Sequence, residues 1–421
     1  MAYNRKQRLN DNIKAIETAF ILDREQRTPT ARERLLLERY CGFGGLKCIL
    51  NPARELADAV HWAKSDLELF APTVELHRLI RENSKNESEY KQLMDSLKQS
   101  VLTAFYTPSA VTEVLTDVLK EHQIIPEKVL EPSAGIGAFV DSVLDNNPKA
   151  DIMAFEKDLL TGKILRHLHP EQKVRIEGFE KIEKPFNDYF DLAISNIPFG
   201  DVAVFDPSYT AMKGMRALVT RRIHNYFFVK ALDTVRDGGL VAFITSQGVL
   251  NAKNNSAARF MMLYHADLVS AIRLPNNLFT ENANTEVGSD LIILQKNTQK
   301  ESLRGDDNLL DTVYNDENRI PTNNYFLEHP ERIIHTTAKL DTDPFGKPAM
   351  IYTHEDGVEG IAEDLRKMLH EDFKKNLNLN RYLGIEETKA EEVKEVEETE
   401  KIEKTENLKL TDEQQSAYNK V

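Results

Sequence analysis

Between Val101 and Lys296 the chain alternates apolar runs of strand length with stretches of helical spacing, and this pattern limits the fold more than any other feature. The runs are Lys128-Val129-Leu130, Ile152-Met153-Ala154-Phe155, Leu192-Ala193-Ile194, Leu240-Val241-Ala242-Phe243-Ile244 and Asp290-Leu291-Ile292-Ile293-Leu294. Strands that are apolar on both faces need cover on both faces. Alternating strands and helices supply that cover by building a mostly parallel sheet between two helical layers. The expected class is α/β. In such sheets ligands bind outside the carboxyl ends of the strands, so the residues just after each run are where chemistry is expected.

The flanks read differently. Residues 3–40 are polar, with apolar positions at helical spacing (Leu9, Ile13, Ile16, Ala19, Phe20), Thr28-Pro29-Thr30 marks the start of a second helix, and helical, charged sequence continues to about Gln99, so that 1–100 reads as one region. This segment is expected as a helical N-terminal extension. Cys41-Gly42-Phe43-Gly44-Gly45-Leu46 lacks both GxGxxG spacing and the Lys-Ser/Thr of a phosphate loop, which leaves a tight connection between helices. Residues 101–297 form the expected α/β domain, 298–384 a polar and less regular accessory region, and 385–421 an acidic tail. The formal charge is −14, but 12 acidic and 6 basic residues fall between Glu386 and Val421, whereas residues 1–50 carry 10 Lys/Arg against 6 Asp/Glu. The overall charge therefore does not exclude a locally basic face that meets nucleic acid. Cys41 and Cys48, the only cysteines, match neither a CxxC zinc pair nor a disulfide framework. With no apolar N-terminal run and no apolar stretch near 18 residues, no membrane span or secretion signal is expected, and a reduced cytoplasm is the expected location. No metal ligands are expected.

Three strand ends carry the candidate chemistry. Glu131-Pro132-Ser133-Ala134-Gly135-Ile136-Gly137 follows the first run and opens a helix. Its small residues let the backbone approach a ligand, and a helix N-terminus adds oriented N–H groups. Glu156 closes the second run about twenty positions later, where an acidic side chain can accept both ribose hydroxyls of a nucleoside cofactor. That spacing fits a dinucleotide as well as S-adenosylmethionine; the glycine loop, which is not GxGxxG, and the later Asn-Ile-Pro-Phe favour the latter. After Leu192-Ala193-Ile194 comes Ser195-Asn196-Ile197-Pro198-Phe199-Gly200. Asn196 offers a side-chain carbonyl. Ile197 offers a backbone carbonyl held extended by Pro198. Phe199 offers a flat ring. Two acceptors and a ring suit a planar base with an exocyclic amine.

Taken in order, Phe105-Tyr106-Thr107-Pro108, Glu131 to Gly137, Glu156 and Asn196-Ile197-Pro198-Phe199 resemble the gamma-class DNA adenine-N6 methyltransferases, over about 200 residues. The resemblance implies a Rossmann-like class I methyltransferase sheet and S-adenosyl-L-methionine as cofactor. It implies that Phe105 and Thr107 hold the methionine end, that Glu131, Ser133, Gly135 and Gly137 line the cofactor pocket, that Glu156 binds the ribose and that Phe179 packs on the cofactor adenine. It also implies Asn196 to Phe199 as the catalytic tetrad, with Phe199 and Phe279 against the target base and Phe227 on the helix behind the pocket. The family usually has Asp-Phe after the third strand. Here the pair is Gly178-Phe179, so the Asp contact is either missing or supplied by Glu180. More narrowly, Gly42-Phe43-Gly44-Gly45 before the domain and Asn323-Asn324-Tyr325-Phe326 after it resemble helicase-associated methylases of phages, plasmids and conjugative elements. Expected partners are DNA and a helicase-type protein encoded alongside.

The implied reaction is methyl transfer to the N6 amine of adenine in DNA. That nitrogen is a poor nucleophile because its lone pair is delocalised. Acceptors on both N–H bonds draw it toward a tetrahedral shape and aim the lone pair at the sulfonium methyl. The base must leave the duplex to be reached. Two other readings remain. Asn-Ile-Pro-aromatic also resembles ribosomal-RNA adenine dimethyltransferases, although Phe-Tyr-Thr-Pro and Glu-Pro-Ser-Ala-Gly resemble the DNA enzymes; glutamine-amide methyltransferases normally carry Pro at position 197. The chain could instead be a catalytically degenerate cofactor- or DNA-binding module of a mobile-element protein, as Gly178 suggests.

Overall fold

The structure is a computed structural model that describes residues 4–103, 106–212, 214–280, 286–303, 307–314, 320–343 and 346–385. Seven strands form the central sheet: β1 (Lys128–Glu131), β2 (Asp151–Phe155), β3 (Lys173–Arg175), β4 (Phe190–Asn196), β5 (Val235–Ser246), β6 (Ala266–Leu274) and β7 (Ser289–Lys296). Their spatial order is β3-β2-β1-β4-β5-β7-β6. β1 to β5 pair in parallel, and β7 runs antiparallel to both β5 and β6. The order reverses between β1 and β4, so a crevice opens at their carboxyl ends, the switch point where open α/β sheets bind ligands. This is the Rossmann-like class I methyltransferase sheet. The five expected runs all lie in it.

β3 and β6 were not among those runs, for opposite reasons. β3 is a three-residue edge strand with charged side chains, which suits a position paired on one side only. β6 is buried but interrupted by Asp267, Ser270 and Arg273. Each is satisfied by a residue distant in sequence. Asp267 accepts from Asn297 Nδ2 (2.7 Å), Ser270 donates to Asp372 Oδ2 (2.7 Å) and Arg273 pairs with Asp290 (2.9 Å). Buried polar groups are tolerated once paired, and a periodicity argument cannot see partners that far away.

Before the sheet come α1 (Arg5–Glu25), α2 (Ala31–Leu37), a series of 3₁₀ turns, α3 (Phe70–Glu82) and α4 (Glu87–Thr103). The expected start of α2 is a capping box: Thr30 Oγ1 accepts from the Glu33 N–H, and Glu33 Oε2 accepts from the Thr30 N–H. Gly42-Phe43-Gly44-Gly45 is a packed connection. Asn12 Nδ2 donates to Gly42 O (2.6 Å), and the fully buried Phe43 donates its N–H to Ser100 Oγ (3.2 Å). The helices share one apolar core with Leu160, Ile164 and Leu168 of α7 (Leu159–Leu168). A polar patch fastens the same contact: Asp23 accepts from His167 (2.9 Å) and Arg166 (3.0 Å) and also pairs with Lys163. Those partners hold its carboxyl well below the ordinary range despite burial that pushes the other way.

The region after β7 is more ordered than its composition suggests. It holds the 20-residue helix Gly357–Asn376, whose Ile361, Leu365, Leu369 and Phe373 recur every fourth position and are buried. That helix lies against α5 (Ser109–Glu121), where Arg366 pairs with Asp117 (2.7 Å) and Glu121 (2.9 Å), and against β6, where Asn376 Nδ2 donates to Val269 O (2.9 Å). Asn323 donates to Leu250 O and Leu309 O (both 2.9 Å), and Phe326 lies 4.1 Å beneath the Arg273 guanidinium. The Asn-Asn-Tyr-Phe segment thus packs on the sheet. The chain divides into two compact units, residues 1–377 and 378–421. The described part of the second holds the helix Leu379–Leu383, capped by Asn378. Among the described residues no helix is long and apolar enough to cross a membrane.

Candidate active site

The glycine loop between β1 and α6 (Ala138–Asn146) adopts positive φ at Gly135 (+56°) and Gly137 (+93°). Space as well as backbone demands glycine there. A Cβ on Gly135 would lie 2.8 Å from the Tyr106 ring, and one on Gly137 would lie 2.7 Å from His169 Nε2. Glu156, one residue past β2, ties the loop down: its Oε2 accepts from the Gly135 N–H (2.8 Å) and its Oε1 from the Asp158 N–H (2.7 Å). Burial, with Asp158 nearby, pushes the Glu156 carboxyl up to about 7. Asp158 caps α7 by accepting from the Thr161 N–H (2.7 Å), and its other oxygen accepts from Ser96 Oγ (2.8 Å) on α4.

Across the crevice β4 ends at Asn196. The next residue keeps the β4–β5 ladder going, since the Ile197 N–H donates to Ile244 O (3.0 Å) while its side chain is buried. Gly200 then turns the chain away at φ +141°. Phe199 stands edge to face with Phe279, centroids 6.2 Å apart and planes at 77°. Phe279 is fully buried just past β6, so it backs Phe199 with core.

Past β3, Phe179 is buried among Phe155 (5.8 Å), Tyr226 (6.4 Å) and Phe227 (5.3 Å). A Cβ on Gly178 would collide with every terminal atom of the Glu180 side chain. That carboxylate has turned back into the space that a side chain at 178 would take, and Lys157 Nζ lies 3.8 Å from it.

These pieces face one cavity of about 910 Å³, at the upper end of the volumes usual for small-molecule sites. Thr107, Ser133, Gly135, Glu156, Phe179 and Asn196 to Phe199 all line it. Glu131, Gly137 and Phe279 stand behind the wall, and Phe105 lies outside the described residues. Glu131 is nearly inaccessible, and neither carboxylate oxygen has a hydrogen-bond partner among the described residues. Ser195 Oγ and the Ser133 backbone are close enough to influence it electrostatically but do not form bonds of good geometry. Burial therefore dominates and pushes its carboxyl up to about 8, so it is mostly protonated at neutral pH. The sequence reading missed Tyr106 as a cover for the loop and missed the polar face of α4, where Gln92, Asp95, Ser96 and Gln99 also line the cavity. Their helical spacing was legible, but in a polar segment it matches a solvated face.

A family model described as N-6 DNA Methylase matches residues 88–391. Over 201 residues the chain is 29% identical to Defense against restriction protein B of Escherichia phage P1, covering 46% of this chain and 8% of that protein. Over 173 residues it is 25% identical to the Type II methyltransferase M.XamI of Xanthomonas campestris pv. amaranthicola, covering 38% of this chain and 33% of that one. The chain therefore matches a third or less of the length of either relative. Among solved structures, the methyltransferase subunit of a type I restriction-modification system from Streptococcus thermophilus is 12% identical, with 89% of this chain and 94% of that chain covered and a TM-score of 0.39.

Proposed function

Since the chain belongs to the N-6 DNA methylase family, we propose that it transfers the methyl group of S-adenosylmethionine to the N6 amine of an adenine in DNA. One observation carries the reading: the Asn196–Phe199 tetrad and the Gly135–Glu156 pair open into the same cavity. Methyl donor and acceptor amine then have a common space in which to meet.

In this reading Glu156 binds the ribose, Phe179 packs near the adenine of the cofactor, and Thr107 with Ser133 surrounds the methionine end. The bound cofactor supplies the electrophilic methyl. Asn196 Oδ1 and the Ile197 carbonyl accept the two N–H bonds of the target amine and turn its lone pair toward the donor. The target base is flipped out of the duplex and stacks on Phe199, which Phe279 holds from behind. Ile197 serves as well as proline because the group required is a backbone carbonyl. Residues 298–384 are proposed to contribute to DNA recognition, with a helicase-type protein encoded alongside as a partner and the cytoplasm as the place of action.

Incubation with methyl-labelled S-adenosylmethionine and unmethylated duplex DNA, with RNA in parallel, tests this directly. Label recovered as N6-methyladenine in DNA is the expected result. Label in RNA alone would move the substrate class. Cofactor binding without transfer to either would leave a degenerate module.

A further inference from the structure

One wall of the cavity comes from the N-terminal helices. Gln92, Asp95, Ser96 and Gln99 of α4 follow i, i+3, i+4, i+7 spacing and so share one helix face, which lines the cavity. The other side of α4 carries Leu93, Leu97 and Val101, buried in the N-terminal core. The helix is pinned where it matters. Ser96 Oγ donates to Asp158 Oδ2 (2.8 Å) and accepts from the Leu160 N–H (2.9 Å), at the first turn of α7. Tyr106 covers Gly135 beside the same turn, and Thr107 follows it.

Five carboxylates line the cavity: Asp95, Glu156, Asp158, Glu177 and Glu180. Four are engaged. Glu156 accepts from two backbone N–H groups, Asp158 from Thr161 and Ser96, Glu177 from Arg175 (2.6 Å), and Glu180 faces Lys157 (3.8 Å). Among the described residues Asp95 makes no hydrogen bond or ion pair. Thr107 lines the same cavity, is 6% exposed, and its Oγ1 is buried with no partner among the described residues. A cavity lined by an unpaired anion and by an unsatisfied hydroxyl suits a ligand end that brings a cation together with a hydrogen-bonding group.

We infer that Asp95 holds the α-ammonium group of the methionine end of the cofactor, with the Thr107 hydroxyl meeting the adjoining carboxylate. The inference rests on the methyltransferase reading above and deepens it. It makes the N-terminal helical extension a working wall of the cofactor site.

The test removes the ammonium from the ligand as well as the carboxylate from the protein. Titration calorimetry on the full chain compares S-adenosylhomocysteine, which has the amino-acid end, with 5′-methylthioadenosine, which lacks it. Asp95→Asn and Asp95→Ala should weaken S-adenosylhomocysteine about tenfold, as expected for loss of a charge-assisted hydrogen bond, and leave 5′-methylthioadenosine within about twofold. Asp95 is exposed and unpartnered, so neither change threatens the fold. No loss with S-adenosylhomocysteine, or equal loss with both ligands, would overturn the assignment. A wild-type chain that binds neither ligand would overturn the methyltransferase reading and this one with it.

Discussion

The carboxylate of Glu180 occupies the space that a side chain on Gly178 would need. A residue two positions along the chain has turned back to fill a gap in the cavity wall, and both line the cavity beside Phe179. The sequence leaves the acidic contact at position 178 either missing or supplied by Glu180. In the folded chain a carboxylate is present there, delivered from a neighbouring position.

Gly178→Ala is expected to push Glu180 out of place and lower affinity for S-adenosylhomocysteine by about five- to tenfold. Glu180→Ala should do the same. The double variant should be no worse than the weaker single, because residues that share one site are not additive. Calorimetry on the three proteins decides, and additive losses would separate the two roles.

Asn196→Ala should slow methyl transfer about 100- to 1,000-fold, the scale seen when one preorganised polar group is removed from a transition state. Affinity for S-adenosylhomocysteine should change little. Parallel loss of both would relocate Asn196 from the target amine to the cofactor.

Phe199→Ala should weaken binding of the flipped base by about 1–3 kcal/mol, the worth of one aromatic–base stack. Phe279→Leu keeps the core filled and removes only the edge-to-face partner, worth about 0.5–1.5 kcal/mol. The readout is the fluorescence of 2-aminopurine placed at the methylated position of a duplex, which brightens on leaving the stack.

The raised carboxyls of Glu156 and Glu131 predict opposite responses to pH. Glu156 titrates near 7, and its ionised form is the better acceptor for ribose hydroxyls. Cofactor affinity should therefore climb from pH 6 to 8, and Glu156→Gln should bind weakly with a flat profile. Glu131 has a folded pKa of about 8, above its unfolded value of about 4.3. Its contribution to stability is complete below the unfolded value and is lost as pH rises through about 8. Thermal melts should thus show Glu131→Gln gaining on the wild type between pH 5 and pH 9.

Arg259 is almost fully buried, has no ion-pair partner among the described residues, and donates from its guanidinium to Leu310 O (2.7 Å), Val249 O (3.0 Å) and Ala252 O (2.9 Å). Burial, opposed in part by the charge of Asp311, lowers it to about 10, so it stays charged at neutral pH. Arg259→Leu strands those carbonyls, at about 1–3 kcal/mol each where water cannot reach. A large fall in melting temperature is expected, with proteolysis beginning between residues 307 and 314, which the guanidinium ties to the helix Ser256–His265.

Much of the fold was legible because its signals are local. Leu240 to Ile244 read as a strand buried on both faces, and all five residues are fully buried in the middle of the sheet. Thr30 and Glu33 read as a helix start and form the box. β6 escaped because its polar residues meet Asn297, Asp372 and Asp290 across the fold. The helix Gly357–Asn376 had a readable four-residue rhythm that the surrounding polar sequence obscured.

The sequence by itself determined which residues end the strands, and hence that a glycine loop, an acid and an Asn-Ile-Pro-Phe tetrad would meet at one edge of a parallel sheet. Strand periodicity and the chain's right-handed connections leave such residues nowhere else to go. Only the tertiary structure decided what stands around them. Asp95 faces the cavity because α4 is pinned through Ser96 to the start of α7, Phe279 backs Phe199 from the end of a strand on the far side of the sheet, and Glu131 retreats behind the wall. These are contacts between segments distant in sequence. They follow from how buried surfaces pack, which no local pattern encodes.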